Sequence, residues 1–182
     1  MNSDNDPSGV GVLPRPEYPR PNFVRNEWLN LNGPWSFRSD PDNLGLKQHW
    51  FDGFSGGDAI TVPFAAGSQA SGIDPVENCN TFWYCRALPS MDWDSDAILL
   101  NIGAADHATS VWVNGRHLLD HRGGYSPIQG DIKPCLGNDD NFIVIRVSDT
   151  TSWQQPRGKQ AGDTRWPIDY DGITGIWQTV WL

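Results

Sequence analysis

The chain has 182 residues, 22 Asp+Glu against 13 Lys+Arg for a formal net charge of −9, and 10 Trp. That length fits one domain with a sizeable core, and 19 Gly with 14 Pro interrupt it too often for a fold of amphipathic helices, which excludes an all-α protein. The basic residues form no run, which argues against a nucleic-acid partner, and no apolar stretch approaches the ~20 residues of a membrane span, so no membrane partner is expected.

The first residues, Met1-Asn2-Ser3-Asp4-Asn5-Asp6, are acidic and polar where a secretory leader is basic and then apolar. A cytoplasmic protein is expected, or a secreted one if a leader was removed. Residues 1–22 read as an extended tail, with Pro14, Pro16, Pro19 and Pro21 at short intervals favouring polyproline conformation and forbidding a central strand. Residues 23–182 read as one β domain.

In that domain short β-type runs alternate with turn clusters. The predicted strands run from Gly33 to Arg38, Ala59 to Val62, Thr81 to Ala87, Ala97 to Ile102, Thr109 to Val113, Asn141 to Val147 and Ile176 to Leu182. Asn114-Gly115 between two such runs predicts a tight hairpin, with Trp112 and Leu118 on paired strands. Residues 43–50 could make one short helical turn at best. Seven or more strands with short turns point to an antiparallel sandwich or jelly roll.

Tryptophan is the first functional signal, because aromatic faces stack on the C–H faces of sugar rings while carboxylates and amides bind the hydroxyl edges. Trp35, Trp83, Trp112, Trp177 and Trp181 lie in predicted strands and are expected to be packing residues. Trp153 and Trp166 lie in the loop-like segment 148–172, which also carries Asp163, Asp169, Tyr170 and Asp171, and are better placed for exposed contact. Asp92-Trp93-Asp94-Ser95-Asp96 alternates oxygen ligands as a calcium loop does, but Gly103 stands where the closing Glu is needed, so a turn is expected. The four histidines are not at zinc-ligand spacings, so neither metal nor cofactor is expected.

Cys79, Cys85 and Cys135 show no Cys-x-x-Cys spacing and are expected to be free, mostly buried thiols, with a Cys79–Cys85 pair open if the protein is exported. Glycoside hydrolysis needs two carboxyl groups held about 5–9.5 Å apart on rigid elements. Here nearly all carboxylates fall in turns, Glu occurs only at positions 17, 27 and 77, and no catalytic residue is identified. His121-Arg122-Gly123-Gly124-Tyr125 suits a turn or bulge, with Tyr125 packed behind it.

Several segments taken together resemble one family. Pro16-Glu17-Tyr18-Pro19-Arg20-Pro21, then Trp28-Leu29-Asn30-Leu31-Asn32-Gly33-Pro34-Trp35-Ser36-Phe37, is similar to the entry of the N-terminal sugar-binding domain of family 2 glycoside hydrolases, the β-galactosidase, β-glucuronidase and β-mannosidase group. Phe82-Trp83-Tyr84, Val111-Trp112-Val113-Asn114-Gly115, His121-Arg122-Gly123-Gly124-Tyr125-Ser126-Pro127, Asp131-Ile132 and Gly175-Ile176-Trp177-Gln178-Thr179-Val180-Trp181-Leu182 follow in the family's order. Cys85, where an Arg is common, and Ile128-Gln129-Gly130, in place of an aromatic-containing stretch, depart from the pattern.

The resemblance implies an all-β, galactose-binding-domain-like jelly-roll sandwich. It also implies that immunoglobulin-like and TIM-barrel domains, the latter with two catalytic glutamates, lie outside these 182 residues, leaving this chain inactive alone. The family's first domain lends an aspartate to sugar hydroxyls from the loop before the Gly-Ile-Trp strand, and counting back six residues from Gly175 places Asp169 there. Trp166, Tyr170 and Trp153 are the accompanying candidates for contact with a β-linked glycoside. The alternatives are a free-standing carbohydrate-binding module and an inter-domain or homo-oligomer assembly domain.

Overall fold

The computed structural model describes residues 12–76, 79–90, 94–138, 140–150, 155, 170 and 172–182. Eleven strands are formed among the described residues: β1 Gly33–Ser39, β2 Asp58–Val62, β3 Thr81–Ala87, β4 Leu99–Ile102, β5 Ala105–Asp106, β6 Ala108–Val113, β7 Arg116–Arg122, β8 Ile128–Asp131, β9 Phe142–Ser148, β10 Gly175–Ile176 and β11 Val180–Trp181. They make a six-stranded sheet in the order β2-β1-β3-β9-β6-β7, a three-stranded sheet β11-β4-β8 and a small pair β10-β5, all with antiparallel pairing. The fold is the expected jelly-roll sandwich.

Alternation along the strands explains the core. In β9, Ile143, Ile145 and Val147 face the second layer, and the register sets Ile145 between Val111 of β6 and Tyr84 of β3. These residues meet Leu100, Ile102, Ile128, Ile176 and Val180 from the smaller sheets, closing a dry interior.

The opposite face of the large sheet is also covered. Trp83, Cys85, Trp112 and Val144 form a second apolar cluster beneath Trp50, Phe51, Phe54 and Phe142. The segment between β1 and β2 supplies this cover, held by Asp40, whose carboxylate accepts the Leu44 and Gly45 amides at 2.7 and 3.0 Å and the Trp83 indole N–H at 2.9 Å. One turn of helix-like bonding, Gln48 N–H to the Leu44 carbonyl, leads into a 3-10 turn at Trp50–Asp52, close to the single turn expected there.

The Asn114-Gly115 hairpin forms with both residues at positive φ, 51° and 75°, as a two-residue turn between right-twisted strands requires. A register shift between Val111 and Trp112 sets Trp112 opposite His117. Three expectations are corrected. β7 extends to Arg122, which pairs with Ala108 of β6, and β8 is a full strand along β4, where Gln129 donates to the Asn101 side chain at 2.7 Å and the sequence shows no apolar alternation. The closing run is not one strand: β10 pairs with β5 and β11 with β4, so the chain changes partner between Trp177 and Thr179. Tyr125 does not pack behind its turn but is two-thirds exposed.

Residues 12–30 run beside β11 as a strap, Leu29 exchanging backbone hydrogen bonds with Leu182 at 2.9 Å. Tyr18 lies edge-on to Trp28 at 4.9 Å and tilted against Trp181 at 5.4 Å. Fully buried Asn32 ties the strap to the last strand, donating to the Pro14 carbonyl and Thr179 Oγ1 and accepting the Val180 amide. The three cysteines are free, Cys79 and Cys85 buried and Cys135 half-buried. Apolar surroundings push the Cys85 thiol pKa up, opposed by the Phe54 backbone and the Arg38 charge.

Candidate functional site

The loop-like segment singled out in the sequence lies between β9 and β10 in chain order. Asp169, Trp166 and Trp153 lie outside the described residues, while Tyr170 is described and 65 % exposed. What the structure defines is the root of the segment. Asp149 donates its backbone N–H to the Asn80 carbonyl at 2.9 Å and accepts the Thr174 hydroxyl at 3.4 Å and the Gln155 side-chain amide. Both ends of the segment therefore converge on one carboxylate.

Beside this root lies Asp106, opposite Gly175 in the β5–β10 pair and only 6 % exposed. Its carboxylate rests against Gly124, where a Cβ would collide with it. The adjoining His107 has Nδ1 3.6 Å from Asp106 Oδ1, and the His107 carbonyl accepts the Gly123 amide at 3.0 Å. Burial raises the Asp106 pKa, the Asp149 charge raises it further, and His107 opposes both.

A second buried group supports the returning strand. Tyr84 is fully buried on β3, and its hydroxyl lies where a Cβ on Gly175, at φ +108°, would fall. Burial pushes its pKa far up, opposed only by the Ile176 backbone, so the phenol stays neutral. The Gly-Ile-Trp motif thus carries a glycine for two reasons, its backbone conformation and the phenol beneath it.

Trp177 donates its indole N–H to the Gly124 carbonyl at 2.8 Å and meets Tyr125 edge-on at 5.7 Å. The glycine pair of the His-Arg-Gly-Gly-Tyr motif accordingly positions the β10 end and leaves an exposed tyrosine beside it. Sequence reasoning did not single out Asp106, Asp149 or Tyr84. The available signal was Gly175 itself, a glycine opening a strand that pairs with the Ala105-Asp106 bridge.

Comparison with known proteins gives this arrangement its context. Residues 28–182 match the model of the glycosyl hydrolases family 2 sugar binding domain. The chain belongs to that family. It is 31 % identical over 160 residues to a β-glucuronidase of Paenibacillus borealis, covering 84 % of this chain and 26 % of that one, and 33 % identical over 131 residues to the β-glucuronidase of Canis lupus familiaris, covering 65 % and 20 %. The chain thus spans about a quarter of the length of these family 2 relatives.

In three dimensions it matches the β-glucuronidase of Ruminococcus gnavus in complex with D-glucuronic acid with a TM-score of 0.71 at 23 % identity, over 91 % of this chain and 30 % of that one. A Lactobacillus rhamnosus β-glucuronidase gives 0.68 at 23 %, over 87 % and 29 %. These likenesses establish the fold. The matched relatives are β-glucuronidases, so the β-galactosidase reading that the sequence left open gains no support from them.

The shifted Asp106 makes a pH prediction. Its pKa in the folded state is above the unfolded value of about 3.9, so the native state holds the extra proton, and its stabilising share is complete below that value and is lost as pH rises through the folded pKa. Asp106→Asn is therefore expected to flatten the fall in stability above about pH 4. Urea midpoints measured from pH 4 to 7 for both proteins check this, and parallel curves would contradict it.

Proposed function

We propose that this chain is the sugar-binding domain of a β-glucuronidase-like family 2 glycosidase, in which the segment rooted on Asp149 and Gly175 lends side chains to the sugar. Asp169 accepts hydroxyl protons of a β-linked uronide, and Trp166, Tyr170 and Trp153 offer aromatic surface to its ring. The chain supplies no acid or nucleophile, which come from a barrel domain outside it, reached through an immunoglobulin-like domain. The single observation that supports this best is the common root: Asp149, Thr174 and Gly175 hold both ends of the candidate segment at one end of the sandwich.

The 182-residue protein is expected to show no hydrolysis of nitrophenyl β-glucuronide or β-galactoside. It is expected to bind a β-glucuronide more tightly than the matching β-galactoside, and Asp169→Asn to weaken that binding about tenfold or more, as loss of hydrogen bonds to a charged acceptor does. Calorimetric titration reads both. Turnover abolished by Asp169→Asn would overturn the non-catalytic role, and unchanged affinity in that variant would overturn the role of the segment.

A further inference from the structure

A cavity of about 250 Å³ lies between the proline-rich strap and the β11-β4-β8 sheet, and neither Asp149 nor Gly175 is among its described lining residues. Arg20, Asn101, Pro127, Gln178, Thr179 and Trp181 are among its walls. Its floor is rigid. The Asn101 carboxamide, 4 % exposed, donates to the Leu99 carbonyl at 2.9 Å and accepts from Gln129 at 2.7 Å, while Thr179 Oγ1 accepts from Asn32. Trp181 is clamped between Tyr18 and the bridge from its backbone to Asn30.

The strap side is different. The Arg20 carbonyl accepts the Phe23 amide at 2.9 Å and prolines flank the residue, so its backbone is held. Its guanidinium is exposed and has no carboxylate within ion-pair distance among the described residues. An unpaired cation at the mouth of a cavity is notable in a chain of net charge −9. Gln178 is likewise exposed.

One guanidinium, amide and hydroxyl groups, and proline and indole surface are the complement of a ring with one carboxylate, several hydroxyls and apolar C–H faces. A nucleotide or polyphosphate would need several cations, which this lining lacks. The volume falls just below the 300–1,000 Å³ typical of drug-sized ligands, which suits a monosaccharide.

We propose that this cavity is a second carbohydrate site, taking a hexuronic acid with its carboxylate on Arg20 and its hydroxyls on Gln178 and the amide-rich floor. The choice of a uronic acid rests on the β-glucuronidase-like reading above, whereas none of the cavity's described lining residues belongs to the segment that carries Asp169. A site of this kind would hold a uronic-acid unit of a glycan while another is presented elsewhere, raising its local concentration.

The test is an NMR titration of the isotope-labelled 182-residue protein with D-glucuronate, D-glucose and acetate, following side-chain signals of Arg20, Asn101, Gln178 and the Trp181 indole. Glucuronate is expected to shift these signals with millimolar affinity and acetate to leave them unchanged. Arg20→Gln is expected to weaken glucuronate about fivefold without altering the glucose response, as loss of one charge-assisted contact predicts. Asp169→Asn should leave the cavity signals unaffected. Silence of these signals up to roughly 50 mM glucuronate, equal shifts with acetate, or full affinity in Arg20→Gln would each overturn the proposal. Shifts confined to residues 149–175 would overturn it while sparing the proposed function.

Discussion

Gly175→Ala is expected to destabilise the domain by about 3 kcal/mol, combining roughly 1–2 kcal/mol for a β-carbon at positive φ with overpacking of about 1–3 kcal/mol. The glycine has φ +108°, and the added methyl would fall on the buried Tyr84 hydroxyl. Urea unfolding should show a lower midpoint with an unchanged slope. The cause is separable by a second substitution. Tyr84→Phe removes a phenol oxygen whose polar contact is with the Ile176 backbone, so alone it should cost no more than about 0.5–1.5 kcal/mol. Combined with Gly175→Ala, it should recover part of the loss through a favourable coupling, whereas strict additivity would show that the phenol and the methyl do not meet. Because Gly175 opens the strand into which the candidate sugar loop returns, Gly175→Ala should also weaken any binding that depends on Asp169.

Trp83→Ala is expected to cost about 3–5 kcal/mol, the range for truncating a fully buried aromatic. Trp83 is 0 % exposed, stacks on Trp112 at 5.6 Å with planes 22° apart, and meets Trp50 edge-on at 5.9 Å. Its loss would open a cavity beneath the segment between β1 and β2. Trp83→Phe keeps most of the packing and removes the N–H donor to Asp40, a carboxylate 3 % exposed that still caps the Leu44 and Gly45 amides. That change should cost about 1.5–3 kcal/mol, the worth of a hydrogen bond to a charged group. Chemical unfolding of both variants, with near-ultraviolet circular dichroism to follow the stacked indoles, checks the ranking. A Trp83→Ala protein as stable as the parent would show that this second cluster adds nothing to the fold.

Those two sites mark the boundary of what could be read in advance. β3 was legible to the residue, Thr81 to Ala87, because it opens on four consecutive aromatic or β-branched residues, Thr81 to Tyr84, and no Gly, Pro, Asn or Asp interrupts it before Leu88. The Asn114-Gly115 turn was legible because few residue pairs tolerate positive φ twice in succession. β8 was not, since Ile128-Gln129-Gly130-Asp131 owes its pairing to the β4 edge and to an Asn101–Gln129 side-chain contact rather than to any local pattern. Trp83 and Tyr84 are neighbours of equal apolar character, and alternation says only that they face opposite ways. Which face is core and which is roofed by residues 40–57 depends on chain that arrives from elsewhere.

The candidate site divides in the same way. By itself the sequence determined an all-β sandwich, its main strands and its tight turn, because strand period and turn chemistry are local properties. It also pointed to the segment containing Asp169, through composition and resemblance. Only the tertiary structure decided that Asp149, Thr174, Gly175 and Asp106 converge at the root of that segment, that Tyr84 lies under Gly175, and that Arg20 overlooks a polar cavity. Tyr84 and Gly175 alone are 91 positions apart (84 to 175), and strand pairing and layer packing, which no local pattern encodes, bring such residues together.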